Sequence, residues 1–392
     1  MVHRQLPGAG RAGSGRSARR DQGRRAAVDL RAAGVLREAP RMRHLKLLVR
    51  TVLSLAMSAL FVWLSLRKTD VRAVGRAMVE ADARRVAEYV AVLLLVHLVR
   101  TVRWGILLKP LGEVSFKRLN SASAVGWMLL MLLPLRLGEF ARPLLIARPP
   151  PGGGRPLRRS GALASIVVER IVDGIAIGLL GIVALRWLGA SASGRYVDFA
   201  RSASVLVALG FFALCVALVL AVLFRERALR LADRVLRPLS PRIAGRAAGM
   251  LDAFIGAVHV GSGWGLLGFF ALTALYWALY AWGMGLLAPA FGFTGLTPLM
   301  LAVILTIQVV GVMVPAGPGM VGTLQFFTQA GLSLFAADGF SAHGAAFANT
   351  VWLLQFAVQV GLGTIFLLAG HVSLKGLLGA APADDEAPAP AS

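Results

Sequence analysis

The chain of 392 residues has one cysteine, few acids and long stretches with no charge at all. The lone cysteine, Cys215, lies inside an apolar run, which excludes an intrachain disulfide and a cysteine-based metal cluster. His and Cys show no metal-ligand spacing, and no nucleophile triad is apparent. "PGMVG" at 318–322 is not followed by Gly-Lys-Ser/Thr, so it is no phosphate loop. No catalytic residue, cofactor or metal is therefore expected. Between Asp252 and Lys375, Asp338 is the single Asp, Glu, Lys or Arg. Acids are scarce overall: 19 against 42 Lys and Arg, a formal charge of +23.

What remains is apolar. The chain is 57% hydrophobic, with several runs longer than the roughly 18 residues that mark a membrane helix. A β-barrel would show short alternating segments instead. The expected class is an all-α polytopic membrane protein. Its eight hydrophobic segments read as about six full transmembrane helices plus two re-entrant helical hairpins. The spans fall near 45–66, 86–108, 163–187, 203–224, 264–287 and 346–370. The segments at 119–147 and 298–335 are each broken, by "LLPLRLGEFARP" and by "VPAGPGMVG".

Positive charge decides the threading. Loop 148–162 holds Arg148, Arg155, Arg158 and Arg159 with no acid, and loop 225–262 holds seven Arg. Segments 288–297 and 336–345 hold no Lys or Arg. Loop 67–85 is the exception, with mixed charge. If 119–147 crossed fully, loop 148–162 would face outward against the rule. The favoured arrangement has both termini cytoplasmic in a multi-pass protein of the cell membrane, and both broken segments returning to their own side. Residues 1–44 read as a disordered basic tail, with ten Arg and three acids in residues 1–41. Met42 is an alternative start. Residues 45–372 form one transmembrane domain, and 373–392 a second disordered tail. A nucleic-acid partner is not expected from the basic tail, because orientation explains the charge. Loop 225–262 alternates Arg with Leu and Ala, as in a basic helix drawn to anionic lipid; topology-setting charge explains it equally.

A weak repeat is visible. The span at 86, the break at Pro134 and the span at 163 correspond to 264, Pro315 and 346, with offsets of 178, 181 and 183. In the favoured threading the two units have opposite orientation. Paired Pro/Gly-interrupted segments of an inverted repeat point to a central transporter site. Pro134, Gly138, Pro315, Pro318, Gly319 and Gly322 are the candidate hinge positions.

Three clusters carry charge at or near membrane depth. Arg136, Glu139 and Arg142 are spaced i,i+3 after Pro134. Glu169 and Asp173 are i,i+4 on one helix face, with Arg170 beside them. Arg100 and Arg103 lie near the end of the second span, with Trp104. Such charges persist in hydrocarbon when paired or facing water. Two readings compete: a polar cavity that takes a lipid headgroup, or salt bridges that fasten a hairpin to its neighbours. Arg100 and Arg103 have a third, snorkelling to the interface. Trp277, Tyr280 and Trp282 read as an interface belt or core packing.

"RTVRWGILL", "LLPLRLGEFARPLLI", "ASIVVERIVDGIAIGLL" and "VPAGPGMVGTLQ" resemble the motifs of the flippase-like integral membrane family. That family shares its domain with the N-terminal membrane region of lysylphosphatidylglycerol synthase (multiple peptide resistance factor). The resemblance covers about 45–372. Many members read Pro-Gly-Gly-x-Gly-x-x-Glu, where this chain has Met320 and Gln325. The resemblance implies translocation of a lipid or lipid-linked intermediate. It does not imply synthesis, because the family's aminoacyl transfer resides in a soluble C-terminal domain and about twenty residues follow position 370 here. The expected partner is a membrane lipid or lipid-linked substrate. The alternative function is an accessory or scaffold subunit alongside a membrane synthase.

Overall fold

The computed structural model describes residues 40–67, 69–149, 156–187, 224–236, 263–313 and 317–369, with isolated positions between 202 and 245. Packing divides the chain into two units, 1–53 and 54–392. Of the first, the described part is the start of helix α1 (Pro40–Leu66). The described residues contain helices and no strand.

After α1 come α2 (Val71–Val79) and α3 (Ala83–Leu108), each opened by an aspartate. Asp70 accepts from the Arg72 amide and Asp82 from the Arg84 amide, both at 2.9 Å, satisfying donors that a helix start leaves free. The broken segment that follows is α4 (Phe116–Leu132), a 3-10 stretch (Pro134–Phe140) and short α5 (Ala141–Ile146). Then come α6 (Arg159–Trp187), α7 (Arg225–Leu236) and α8 (Gly263–Leu287). The second broken segment is α9 (Pro298–Val312), a 3-10 turn (Pro318–Met320) and α10 (Thr323–Leu332). The last helix is α11 (Ala342–Leu368).

Among the described residues, three stretches are long and apolar enough to cross a membrane: Ala83–Leu111, Trp264–Phe291 and Ala342–Leu368. They answer to the expected spans at 86–108, 264–287 and 346–370. Helix α6 is 29 residues long but carries Glu169, Arg170 and Asp173. The expected span 203–224 lies outside the described residues except for isolated positions, as do Pro315, most of the two tails and the basic loop beyond α7. Helix α7 is the helical start expected for that loop, and its arginines are exposed.

Both broken segments double back. Gly138 shows why the first can: a methyl group added to it would sit 2.0 Å from the Leu130 amide nitrogen, so the returning 3-10 stretch lies on the backbone of α4. In the second, a methyl group added to Gly331 of α10 would sit 2.9 Å from the Ile304 Cα of α9, a looser backbone approach.

The packing repeats as well. Helices α3 and α8 lie along each other. Helix α11 packs against α4, and α6 packs against α9. Helix α5 touches α6 as α10 touches α11. Exchanging α3–α6 with α8–α11 interchanges these packings. The larger apolar core joins α3, α8, α9 and α11 around Tyr89, Met284, Ile304 and Phe347. A second core joins α3 to α4, α5 and α6 around Trp104, Val125 and Ile146. Between them lies the charged centre.

Candidate functional site

Arg103 is fully buried and anchors that centre. It donates to both oxygens of Asp173 at 2.5 and 3.1 Å, to Glu169 at 2.7 Å and to the Thr273 hydroxyl at 3.3 Å. The i,i+4 spacing of Glu169 and Asp173 on α6 lets one guanidinium span both. Arg142 donates to the other oxygen of Glu169 at 3.0 Å. Arg170 reaches Asp173 at 3.2 Å and Glu169 at 3.6 Å. Trp104 donates to the Ser165 hydroxyl at 3.0 Å, holding α3 to α6.

The i,i+3 expectation divides here. Arg136 and Glu139 do pair, at 2.6 Å. Arg142 does not turn to Glu139. The 3-10 stretch ends at Phe140 and α5 then points Arg142 inward, where it is 2% exposed and meets Glu169. Snorkelling is also set aside for α3, because Arg100 and Arg103 are 4% and 0% exposed.

A cavity of about 400 Å³ opens beside these pairs, within the roughly 300–1,000 Å³ of small-molecule sites. Arg100, Arg136, Glu139, Arg170 and Asp173 line it. Arg103, Arg142 and Glu169 do not; they form a buried layer behind. Residues from both halves close it, with Trp127 of α4 facing Tyr276, Trp277 and Tyr280 of α8. Gln308, Gln355 and Gln359 supply amides from the charge-free half.

Trp127 organises the cations. The guanidinium of Arg100 lies 3.7 Å from its ring centre, Arg142 at 4.8 Å and Arg170 at 5.7 Å. The electron-rich face offsets part of the repulsion among like charges. Arg100 also lies 5.9 Å from the Tyr276 ring, and Arg103 lies 4.8 Å from it.

The hairpin tips meet at this cavity. Arg136 donates across to the Val312 carbonyl at 3.4 Å, and Trp352 donates to the Gly319 carbonyl at 2.8 Å. Each tip holds a non-glycine residue in the left-handed region, Arg136 (φ 58°) and Met320 (φ 55°), and both line the cavity. Such backbone is strained and needs its surroundings to hold it. Gly319 and Gly322 take φ of 68° and 82° without that cost. Gln325, at the position where many resembling sequences have Glu, accepts from the Gly322 amide at 2.8 Å and starts α10. Pro318 opens the 3-10 turn, and Pro134 opens the other.

The aromatic and amide lining was not singled out from the sequence as site. Trp127 carried a signal, since a tryptophan in the middle of an apolar segment is far from the interface that Trp favours. Gln355 and Gln359 carried another: an i,i+4 amide pair in a helix without charge needs polar surroundings. Among the described residues, no group of three His, Cys, Asp or Glu is arranged to hold a metal ion.

Helices of this length and apolarity, with wide apolar faces such as Leu94, Leu98 and Val102 left exposed, define a helical membrane protein with a charged cavity. The chain belongs to the family described as the lysylphosphatidylglycerol synthase TM region, which it matches over residues 51–363. It is thus a membrane protein related to lipid handling. Neither a curated protein nor a solved structure matches it.

Proposed function

We propose that the chain moves a lipid or lipid-linked intermediate between membrane leaflets, with the headgroup carried in the charged cavity, and that it performs no bond chemistry itself. One observation carries the reading: a cavity of about 400 Å³ between two matched halves, walled by three arginines, two carboxylates and four large aromatic rings. A charged wall inside a membrane domain is costly unless water or a polar ligand faces it. The interchangeable packing of α3–α6 and α8–α11 supports an inverted repeat, whose halves can rock about a site between them. In this reading 119–147 and 298–335 are re-entrant hairpins among six full spans of the cell membrane, and both termini are cytoplasmic. The exposed basic face of α7 rests on anionic lipid.

The test is a transbilayer assay with the purified chain in liposomes, using headgroup-labelled phospholipids and a quencher that cannot cross. Accelerated movement of at least one lipid class is expected, with loss in a folded Arg170→Gln variant. If no class moves faster than in empty liposomes, the translocation reading falls. An accessory role beside a membrane synthase then replaces it.

A further inference from the structure

The charge of the cargo follows from which side chains at the cavity already have partners. Both wall carboxylates are engaged. Asp173 receives Arg103 at 2.5 and 3.1 Å and Arg170 at 3.2 Å. Glu139 holds Arg136 at 2.6 Å. Behind the wall, Glu169 is shared by Arg103 and Arg142. Arg100 differs from all of these. It lines the cavity, is 4% exposed, and has no carboxylate among the described residues within ion-pair distance. Aromatic faces are its company.

The balance is therefore positive. Five guanidiniums (Arg100, Arg103, Arg136, Arg142, Arg170) meet three carboxylates (Glu139, Glu169, Asp173), an excess of two. The neutral polar atoms lean the same way. Trp127 and Trp277, which line the cavity, carry buried indole N–H groups with no hydrogen-bond partner, and the buried Arg100 Nε–H has none either. Among lining residues, the one buried acceptor without a partner is the Gln359 amide oxygen. A positive balance with one cavity arginine free of any carboxylate among the described residues calls for a ligand that is negative, as a phosphodiester is.

We propose that the cavity selects a lipid headgroup of net negative charge, its phosphate paired with Arg100, and discriminates against headgroups of net positive charge. This rests on the headgroup reading given above. An ammonium group entering the cavity meets no carboxylate free of an arginine and raises the local positive excess. Displacing Arg136 from Glu139 to make room would strand a guanidinium instead. A phosphate meets Arg100 without breaking any existing pair.

Binding to the full chain in detergent, read as displacement of a fluorescent phosphatidylglycerol, tests this without requiring transport. Phosphatidylglycerol is expected to bind at least about tenfold more tightly than lysylphosphatidylglycerol, with phosphatidylcholine between them. The wild-type comparison needs no variant to fold. Arg100→Gln should weaken phosphatidylglycerol about 10- to 100-fold, the span of a lost charged hydrogen bond, and shrink the preference. Arg100→Lys, which keeps the charge, should retain the order of the three lipids. Equal binding of all three, or tighter binding of lysylphosphatidylglycerol, overturns the proposal. Displacement of the probe by glycerol phosphate as readily as by the lipid also overturns it, because the occupant is then a soluble anion. A chain that prefers phosphatidylglycerol but moves no lipid sinks translocation and leaves this selectivity standing. One that moves lysylphosphatidylglycerol in preference does the opposite.

Discussion

Glu169→Gln is the sharpest perturbation of the buried layer. Glu169 is fully buried between Arg103 at 2.7 Å and Arg142 at 3.0 Å. The substitution keeps the shape and removes the charge. One end of the new amide is a donor, so it faces either Arg103 or Arg142 donor to donor. Arg103 keeps Asp173. Arg142, 2% exposed, has no other carboxylate among the described residues in ion-pair range and is stranded. Breaking one partner of a buried pair costs about 3–5 kcal/mol. A typical fold is stable by about 5–15 kcal/mol, so a large share is lost. Equilibrium unfolding of the detergent-solubilised chain, followed by tryptophan fluorescence, reads the change. Adding Arg142→Met removes the stranded cation, so the double variant should recover part of the loss, with a coupling of about 0.5–3 kcal/mol. If Glu169→Gln costs no more than the ~0.5 kcal/mol of a surface change, or the two substitutions simply add, the layer does not hold the fold as described.

Three further outcomes are expected. Gly138→Ala drives a methyl group into the α4 backbone at Leu130, and should destabilise the first hairpin by about 1–3 kcal/mol or more, visible as a lower unfolding midpoint. Gly322→Ala combines φ of 82° with a 2.6 Å approach to the Ser58 carbonyl, so it should loosen the second hairpin from α1 and raise protease cleavage at 313–322. Trp127→Leu removes the ring shared by Arg100, Arg142 and Arg170; a loss of about 0.5–2 kcal/mol for each well-placed cation is expected, with weaker lipid binding, while Trp282→Leu at an exposed ring should leave both unchanged.

The sequence made the helices legible because hydrocarbon allows few alternatives: an uninterrupted apolar run of this length must satisfy its backbone within itself. It made the breaks legible through Pro and Gly, and the pairing of Arg136 with Glu139 through i,i+3 spacing. It did not sort the charges into wall and support. That division depends on α3 placing Arg100 at the cavity and Arg103 in the buried layer behind it, and on α5 turning Arg142 inward, neither of which local spacing encodes. The aromatic wall was hidden for a related reason. Tyr276, Trp277 and Tyr280 look like ordinary membrane-helix residues until α8 is set against α3, with Trp127 of α4 across the cavity.

The most direct test of the charged cavity as a headgroup site is a structure of the chain in phosphatidylglycerol nanodiscs. The expected result is headgroup density in the cavity between Trp127 of α4 and Tyr276 of α8, with a phosphate within hydrogen-bond distance of Arg100 and close to Arg136 or Arg170. A cavity filled by an acyl chain, or an Arg100 paired with a carboxylate of the chain itself, would contradict it.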